Sequence, residues 1–597
     1  MLYVGIAITV TFLFYFAPAQ ALFPRLMLSS RTAPGIPVVS LFIVVTLYTF
    51  LSYLSLSSQM VMLSVLGLFG VVAILRTVKT MVLEDTAWQW PRSHVLLLIF
   101  LLALSALWAV RLGTTGFDRD DEIYSWNLWA IQHWLGHDID FYYTRAPYPQ
   151  FLPIFLASTY ELFGHFDYQM PTKLTLAILP LSAWYAIMVL PRSTCSGVAV
   201  LSAVLGLILL VAVGREFSTG LADPLVASAI TLTVYFFILF RRSPDQISLL
   251  YLSLTCGAVA IFAKQPGLIW SLLSLPLIVG LMVLRKKAQP SLLFAPFLLV
   301  ALAVYWLLVP GQGFADNEGV TTRSLRGMEW YQVLWESFLT WGIGKPLLLI
   351  LLLGALFAVS RKRDNLDIYC LFLIPALLLW WIYGSYHLRL GAHTITVAAL
   401  LIAASGYPFG NMVRASSKVA SKFSDRFAKT TLSIFMLVSL VISVAIAYER
   451  TNRYGPEFDW QKPSENALYL QMGESGREAF RLIAENPSNV FWVASNYVYG
   501  VFYGHVTVSR PVHISDGAYT AVDLLDQIMD ERPDYLMDVG ITPVAFGSGS
   551  NRLHQLASGD CPFLFEPLFD VTDRATYQLY RFVHDPEALA LCKENLL

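Results

Sequence analysis

Apolar residues in this chain run in blocks of roughly 17 to 22, the length an α-helix needs to cross a ~30 Å hydrocarbon layer. The blocks recur along about the first three quarters of the sequence, and on that criterion the pattern predicts about fourteen membrane spans. They cover residues 2–22, 35–54, 59–75, 93–111, 171–190, 197–213, 225–240, 249–263, 267–284, 291–309, 346–360, 367–383, 391–408 and 431–448. From Tyr448 the pattern changes: charged residues and Asn become frequent, and the apolar runs shorten to strand length. Runs at Asn489–Ala494, Pro511–Ile514 and Tyr535–Asp538 read as buried strands. Helical spacing at Ser464–Glu485 and Ala521–Glu531 completes a small α/β sandwich.

Composition agrees with lipid as the solvent. The 597 residues are 56% hydrophobic and 14% charged, against about a quarter charged in an ordinary soluble domain. A formal charge of −1 without a long basic run speaks against a nucleic-acid partner, which needs clustered Lys and Arg. No Lys or Arg precedes the 2–22 run, as a secretory signal usually requires, so it is kept as a span.

Short loops rich in Lys and Arg stay cytoplasmic. Arg25 and Arg31, Arg76 and Lys79, Arg192, Arg241 and Arg242, Arg285 to Lys287, Arg361 to Arg363, and the segment from Arg414 to Lys429 fall on every second connection. One alternation satisfies all of them. It places outside the tail from 449 onward, the long 112–170 loop, the Arg215–Asp223 loop, the turn at Lys264, the 310–345 loop and the Ser385–Leu390 loop. Cys561 and Cys592 in the tail could then be joined as a disulfide, or stay two buried thiols.

The outer loops carry the chemistry. Asp118, Asp120, Asp121 and Glu122 put four acids in five residues, ahead of a Trp-rich stretch, Ile123–Leu135, that suits a helix lying in the membrane interface. Acids at a helix start also serve as a solvated cap. Glu216 and Asp223 lie in a second loop, where Asp before Pro224 also reads as a plain N-cap. Lys264 opens a Lys-Gln-Pro-Gly turn, Arg145 sits among Tyr and Pro residues, and Tyr386, His387 and Arg389 fall in the 385–390 loop. Each cation alone could simply snorkel to lipid phosphate. Together, acids and cations on one membrane face suit sugar transfer from a lipid phosphate. A carboxylate would take the acceptor's proton while Lys and Arg stabilise the departing phosphate.

At these residues the chain resembles the GT-C class of membrane glycosyltransferases, which includes protein O-mannosyltransferases and the bacterial lipid A aminoarabinose transferase. Asp121-Glu122 matches the acidic pair on that class's first outer loop, and Arg145 to Pro149 its basic, Pro-rich stretch. Glu216 and Asp223 match its second acidic loop, and Lys264 to Gly267 its Lys-x-Pro-Gly-like turn. The resemblance spans about residues 93–400. It implies a GT-C-like polytopic helical fold, with 1–92 as extra helices ahead of the class pattern, 93–448 as the catalytic membrane domain, and 449–597 as an extracytoplasmic α/β domain. It implies an inverting transferase of the bacterial inner membrane, using a polyprenyl-phosphate sugar and a glycan, lipid or protein hydroxyl. Asp121 is then the candidate base, with Asp118 and Asp120 as rivals and Glu122 or Asp223 orienting the acceptor. Arg145, Lys264 and Arg389 would hold the donor phosphate. No nucleotide cofactor is implied, and a divalent metal is left open.

Three other readings stand beside it. A polysaccharide polymerase or O-antigen-type ligase would take a polyprenyl diphosphate and rely on His387, Arg389, Arg323 and Arg326. A transporter would place charge at the bilayer midplane and show related halves, and neither is seen in the sequence. A structural scaffold would tolerate loss of the acids.

Overall fold

The computed structural model describes residues 2–82, 90–91, 94–99, 101–102, 117, 122–139, 148–190, 220, 222–264, 267, 352–356, 359–360, 365–378, 392–405, 441, 468, 472–485, 491–493, 496–509, 520–540, 553, 555–572 and 576–596. It divides into two compact units, one formed by Met1–Gly113, Ala146–Leu162 and Pro171–Arg453, the other by Thr114–Arg145, Phe163–Met170 and Tyr454–Leu597.

The first unit is helical. Among the described residues, Ala33–Tyr53, Gln59–Thr80 and Ala222–Arg242 are long and apolar enough to cross a membrane. They occupy different depths of the packing. The most apolar stretch of Ala222–Arg242 is 94% buried, whereas that of Gln59–Thr80 is 22% buried. The latter turns Leu63, Leu68, Val71, Ile74, Leu75 and Val78 outward. A face of that composition needs lipid rather than water against it.

The first predicted span is broken. Helices Leu2–Tyr15 and Ala17–Leu22 meet at Phe16, and Pro18 stands at the start of the second, where its missing N–H costs nothing. The backbone groups at this break are taken up by neighbours. Ser40 Oγ accepts from the Ala19 amide at 3.1 Å, and Arg76 donates to the Ala21 carbonyl at 2.7 Å. The 171–190 span is likewise two helices, Gln169–Thr175 and Ile178–Val189. A 13-residue helix, Phe151–Phe163, lies within what the sequence pattern left as outer loop.

Arg241 and Arg242, expected as cytoplasmic loop charges, are built into the packing. Arg241 grips both carboxylate oxygens of Asp367, at 2.7 and 2.8 Å. Arg242 donates to the carbonyls of Leu190 and Ala404, at 3.0 and 2.6 Å. Both carbonyls close helix C-termini, the end where a cation is favourable.

In the second unit the described residues of the tail form one five-stranded sheet. The strands are β1 (Phe491–Val493), β2 (Val508–Ser509), β3 (Tyr535–Gly540), β4 (Phe565–Thr572) and β5 (Thr576–Phe582), in the order β2-β1-β3-β5-β4. β1 runs parallel to β2 and β3, while β5 is antiparallel to β3 and β4. Pro567 sits in the edge strand beside the register shift, where a missing donor is tolerated. β1, β3 and the helix Ala521–Glu531 fall on expected positions. The expected strand at 511–514 lies outside the described residues. The hairpin β4–β5 and the helix Pro586–Leu596 were not anticipated. Cys561 and Cys592 are joined, 31 residues apart in sequence, inside a core with Leu524, Leu525, Ile528, Leu564 and Phe582.

Candidate functional site

Helices Ala222–Arg242 and Ile247–Ala263 form an antiparallel hairpin joined by residues 243–246. At its open end the Lys264 ammonium donates to Asp223 Oδ1 at 2.8 Å, with 12% and 5% of the two side chains exposed. The pairing follows from helix electrostatics. Asp223 lies in the first turn of one helix and Lys264 directly follows the last turn of the other, so each charge sits on the helix end that favours its sign. Asp223 is therefore not the N-cap that its place before Pro224 suggested. The helix begins at Ala222, and the carboxylate reaches across to its partner.

Local sequence holds Lys264 in place. Its backbone is extended, ending the helix, and its carbonyl accepts from the Gly267 amide at 2.9 Å. A Cβ on Gly267 would overlap the Ala260 carbonyl, which explains the glycine of the Lys-Gln-Pro-Gly turn. On the other side, the helix Ala392–Ser405 packs along Ala222–Arg242, and the Thr231 and Thr396 hydroxyls lock the two at 2.6 Å. This sets His393, at the start of its helix and buried, within electrostatic reach of Asp223.

In the second unit, Glu122 opens a π-helical turn, Glu122–Asn127, that runs on into the helix Leu128–Leu135. Gly136, at φ +70°, closes the helix, and the His137 amide returns to the Gln132 carbonyl at 2.9 Å, a glycine C-cap. Glu122 is fully buried. So are Trp126 and Trp129, which meet edge to face with centroids 5.3 Å apart. These indoles are covered by protein. A second acid of the 112–170 stretch, Asp167, is also buried. Its Oδ2 lies 2.9 Å from His165 Nδ1, and its Oδ1 lies 3.9 Å from His505 Nδ1. Burial pushes the His505 imidazole down to about 4, against the pull of Asp167, while the hydrogen bond to Asp167 raises His165.

Of the residues singled out in the sequence, the described structure includes Glu122, Asp223 and Lys264, and it brings Asp223 and Lys264 together. Asp118, Asp120, Asp121, Arg145, Glu216, Tyr386, His387 and Arg389 lie outside the described residues. His393, the fully buried Lys173, Asp167 and His505 were missed. His393 and Lys173 carried a usable signal, because each is an ionisable residue inside a predicted span. Among the described residues, no group of three or more His, Cys, Asp or Glu could hold a metal ion.

No family model and no curated protein matches the chain. Among solved structures, the crystal structure of ArnT from Cupriavidus metallidurans in the apo state aligns with 84% of this chain and 99% of that one. The identity is 14% and the TM-score 0.46. A likeness of that extent bears on neither substrate nor site residues.

Proposed function

We propose that the protein is an inverting membrane glycosyltransferase of GT-C type. It moves a sugar from a polyprenyl-phosphate donor to an acceptor hydroxyl at the extracytoplasmic face of a bacterial inner membrane. The observation that carries this reading is the buried Asp223–Lys264 pair at the open end of a membrane hairpin. A carboxylate and an ammonium taken out of water cost several kcal/mol each, a cost that an apolar hairpin end serving only to span lipid has no reason to bear. The disulfide Cys561–Cys592 suits an oxidising compartment and so supports a tail outside the cytoplasm.

In this reading, residues 93–448 are the catalytic membrane domain and 449–597 its extracytoplasmic domain. Asp121 takes the acceptor proton as the acceptor oxygen attacks the anomeric carbon. The bond from that carbon to the phosphate oxygen breaks, and polyprenyl phosphate leaves with its electron pair. Lys264 stabilises the departing charge. An ammonium carries three donors, so Asp223 can anchor it while it meets phosphate oxygens. Arg145 and Arg389 would hold the donor phosphate with Lys264, Glu122 would orient the acceptor, and Glu216, Tyr386 and His387 are taken as further substrate-binding residues.

The reading is tested by presenting purified full-length protein with labelled polyprenyl-phosphate sugars and, separately, with polyprenyl-diphosphate oligosaccharides. Transfer from the first class supports it. Turnover of the second class alone assigns the protein to the polymerase or ligase chemistry instead.

A further inference from the structure

Contacts at Tyr503 and Gly504 tie the tail to the segment that Glu122 opens, and His505 ties it to the Phe166–Asp167 turn, all within the second unit. The Tyr503 hydroxyl lies 2.8 Å from His137 Nδ1, and the two rings meet edge-on. His505 is packed edge-on against Phe166 at 4.6 Å and faces the buried Asp167. Between them, Gly504 takes φ +83°, and a Cβ there would stand 3.1 Å from Ile131 and 3.2 Å from Phe166. The loop therefore needs glycine both for its backbone and for its close approach. The helix Asn496–Phe502 that leads into it packs on the Glu122–Asn127 turn.

The braced segment cannot hold itself. Fourteen residues of π-turn and helix are at the margin of helix stability in water, and three of its Trp and acid side chains are buried only because other elements cover them. A group that must meet a substrate atom has to be held to within about 0.5 Å. We propose that Tyr503, Gly504 and His505 act as a positioning clamp. They hold in place the helical segment that Glu122 opens. The tail is then part of the transfer machinery rather than a separate acceptor-binding module. The catalytic half of this inference rests on the glycosyltransferase reading; the structural half does not.

The test uses full-length protein in lipid nanodiscs, with Tyr503→Phe, His137→Phe and the double variant. Hydrogen exchange in residues 122–135 should quicken about fivefold, the ordinary worth of one hydrogen bond. Exchange in 521–531 and 576–582 should not change. The double variant should be no faster than either single one, because both changes remove the same contact. In the transfer assay, kcat should fall at unchanged donor KM, and the acid limb of the kcat–pH profile should move. A smaller folded fraction alone would leave the shape of that profile intact. Unchanged exchange in 122–135, or equal loss of protection throughout the tail, overturns the clamp. So does an unmoved pH profile in active variants. Absence of transfer by the wild type would sink the glycosyltransferase reading, while the exchange data would still decide the clamp.

Discussion

Lys264 Nζ stands 2.8 Å from Asp223 Oδ1 across the open end of a helical hairpin, with both side chains largely shielded from solvent. Removing either partner takes from the other the ion pair that offsets its burial. Lys264→Met and Asp223→Leu should each destabilise the membrane unit by about 3–5 kcal/mol, and the double variant should recover most of that loss. Thermal unfolding in detergent checks the ranking. If the pair also serves the donor phosphate, the double variant will be stable yet inactive. A stable and active double variant would reduce the pair to a structural feature.

The buried His505 gives the second unit a pH-dependent stability. Its pKa is held near 4 in the fold and returns to 6.5 on unfolding, so the unfolded chain binds the extra proton between those values. Stability is therefore full above about pH 6.5 and falls as pH drops through that window, by up to about 3 kcal/mol. His165 works in the opposite sense. Raised by Asp167, it adds stability below pH 6.5 that is lost as pH rises through its folded value. Denaturant unfolding of the full chain, followed by hydrogen exchange in the tail, should show the loss between pH 6.5 and 4. His505→Asn should flatten that slope, and an unflattened slope would place its origin elsewhere.

The disulfide closes a 31-residue separation around the tail core. Its removal by Cys561→Ser with Cys592→Ser should lower tail stability by about 4 kcal/mol on the loop-entropy argument. Reduction in mild denaturant should expose two thiols to alkylation that native protein protects. Alkylation of native, unreduced protein at these positions would contradict the pairing and weaken the case for an extracytoplasmic tail.

What the sequence disclosed depended on the range of the interaction. Span positions such as 35–54 and 225–240 followed from run length alone, and the structure places helices at Ile36–Tyr53 and Ala222–Arg242. The break at Phe16 and the helix Phe151–Phe163 were not legible, because each is met by neighbours far along the chain, Ser40 and Arg76 at the break and Phe14 and Gln59 at the helix. Lys264 was conspicuous as an outward cation that wants an anion. That the anion is Asp223 depends on how two helices pair, and local spacing suggested a plain N-cap instead. Trp126 and Trp129 show the same limit in reverse. Their pattern suits a membrane interface, yet a surface buried by distant chain segments has the same composition. His505 gave no local signal, since only the fold sets it beside Asp167.

The most direct test of the central claim is release of polyprenyl phosphate from a labelled polyprenyl-phosphate sugar by wild type and Asp121→Asn, with the anomeric configuration of the product determined. Transfer with inversion is expected from the wild type, and from the variant a loss of about 10²–10⁴-fold, the usual contribution of a positioned base, in protein that still unfolds cooperatively. Retention of configuration, or equal rates in the two proteins, would contradict it.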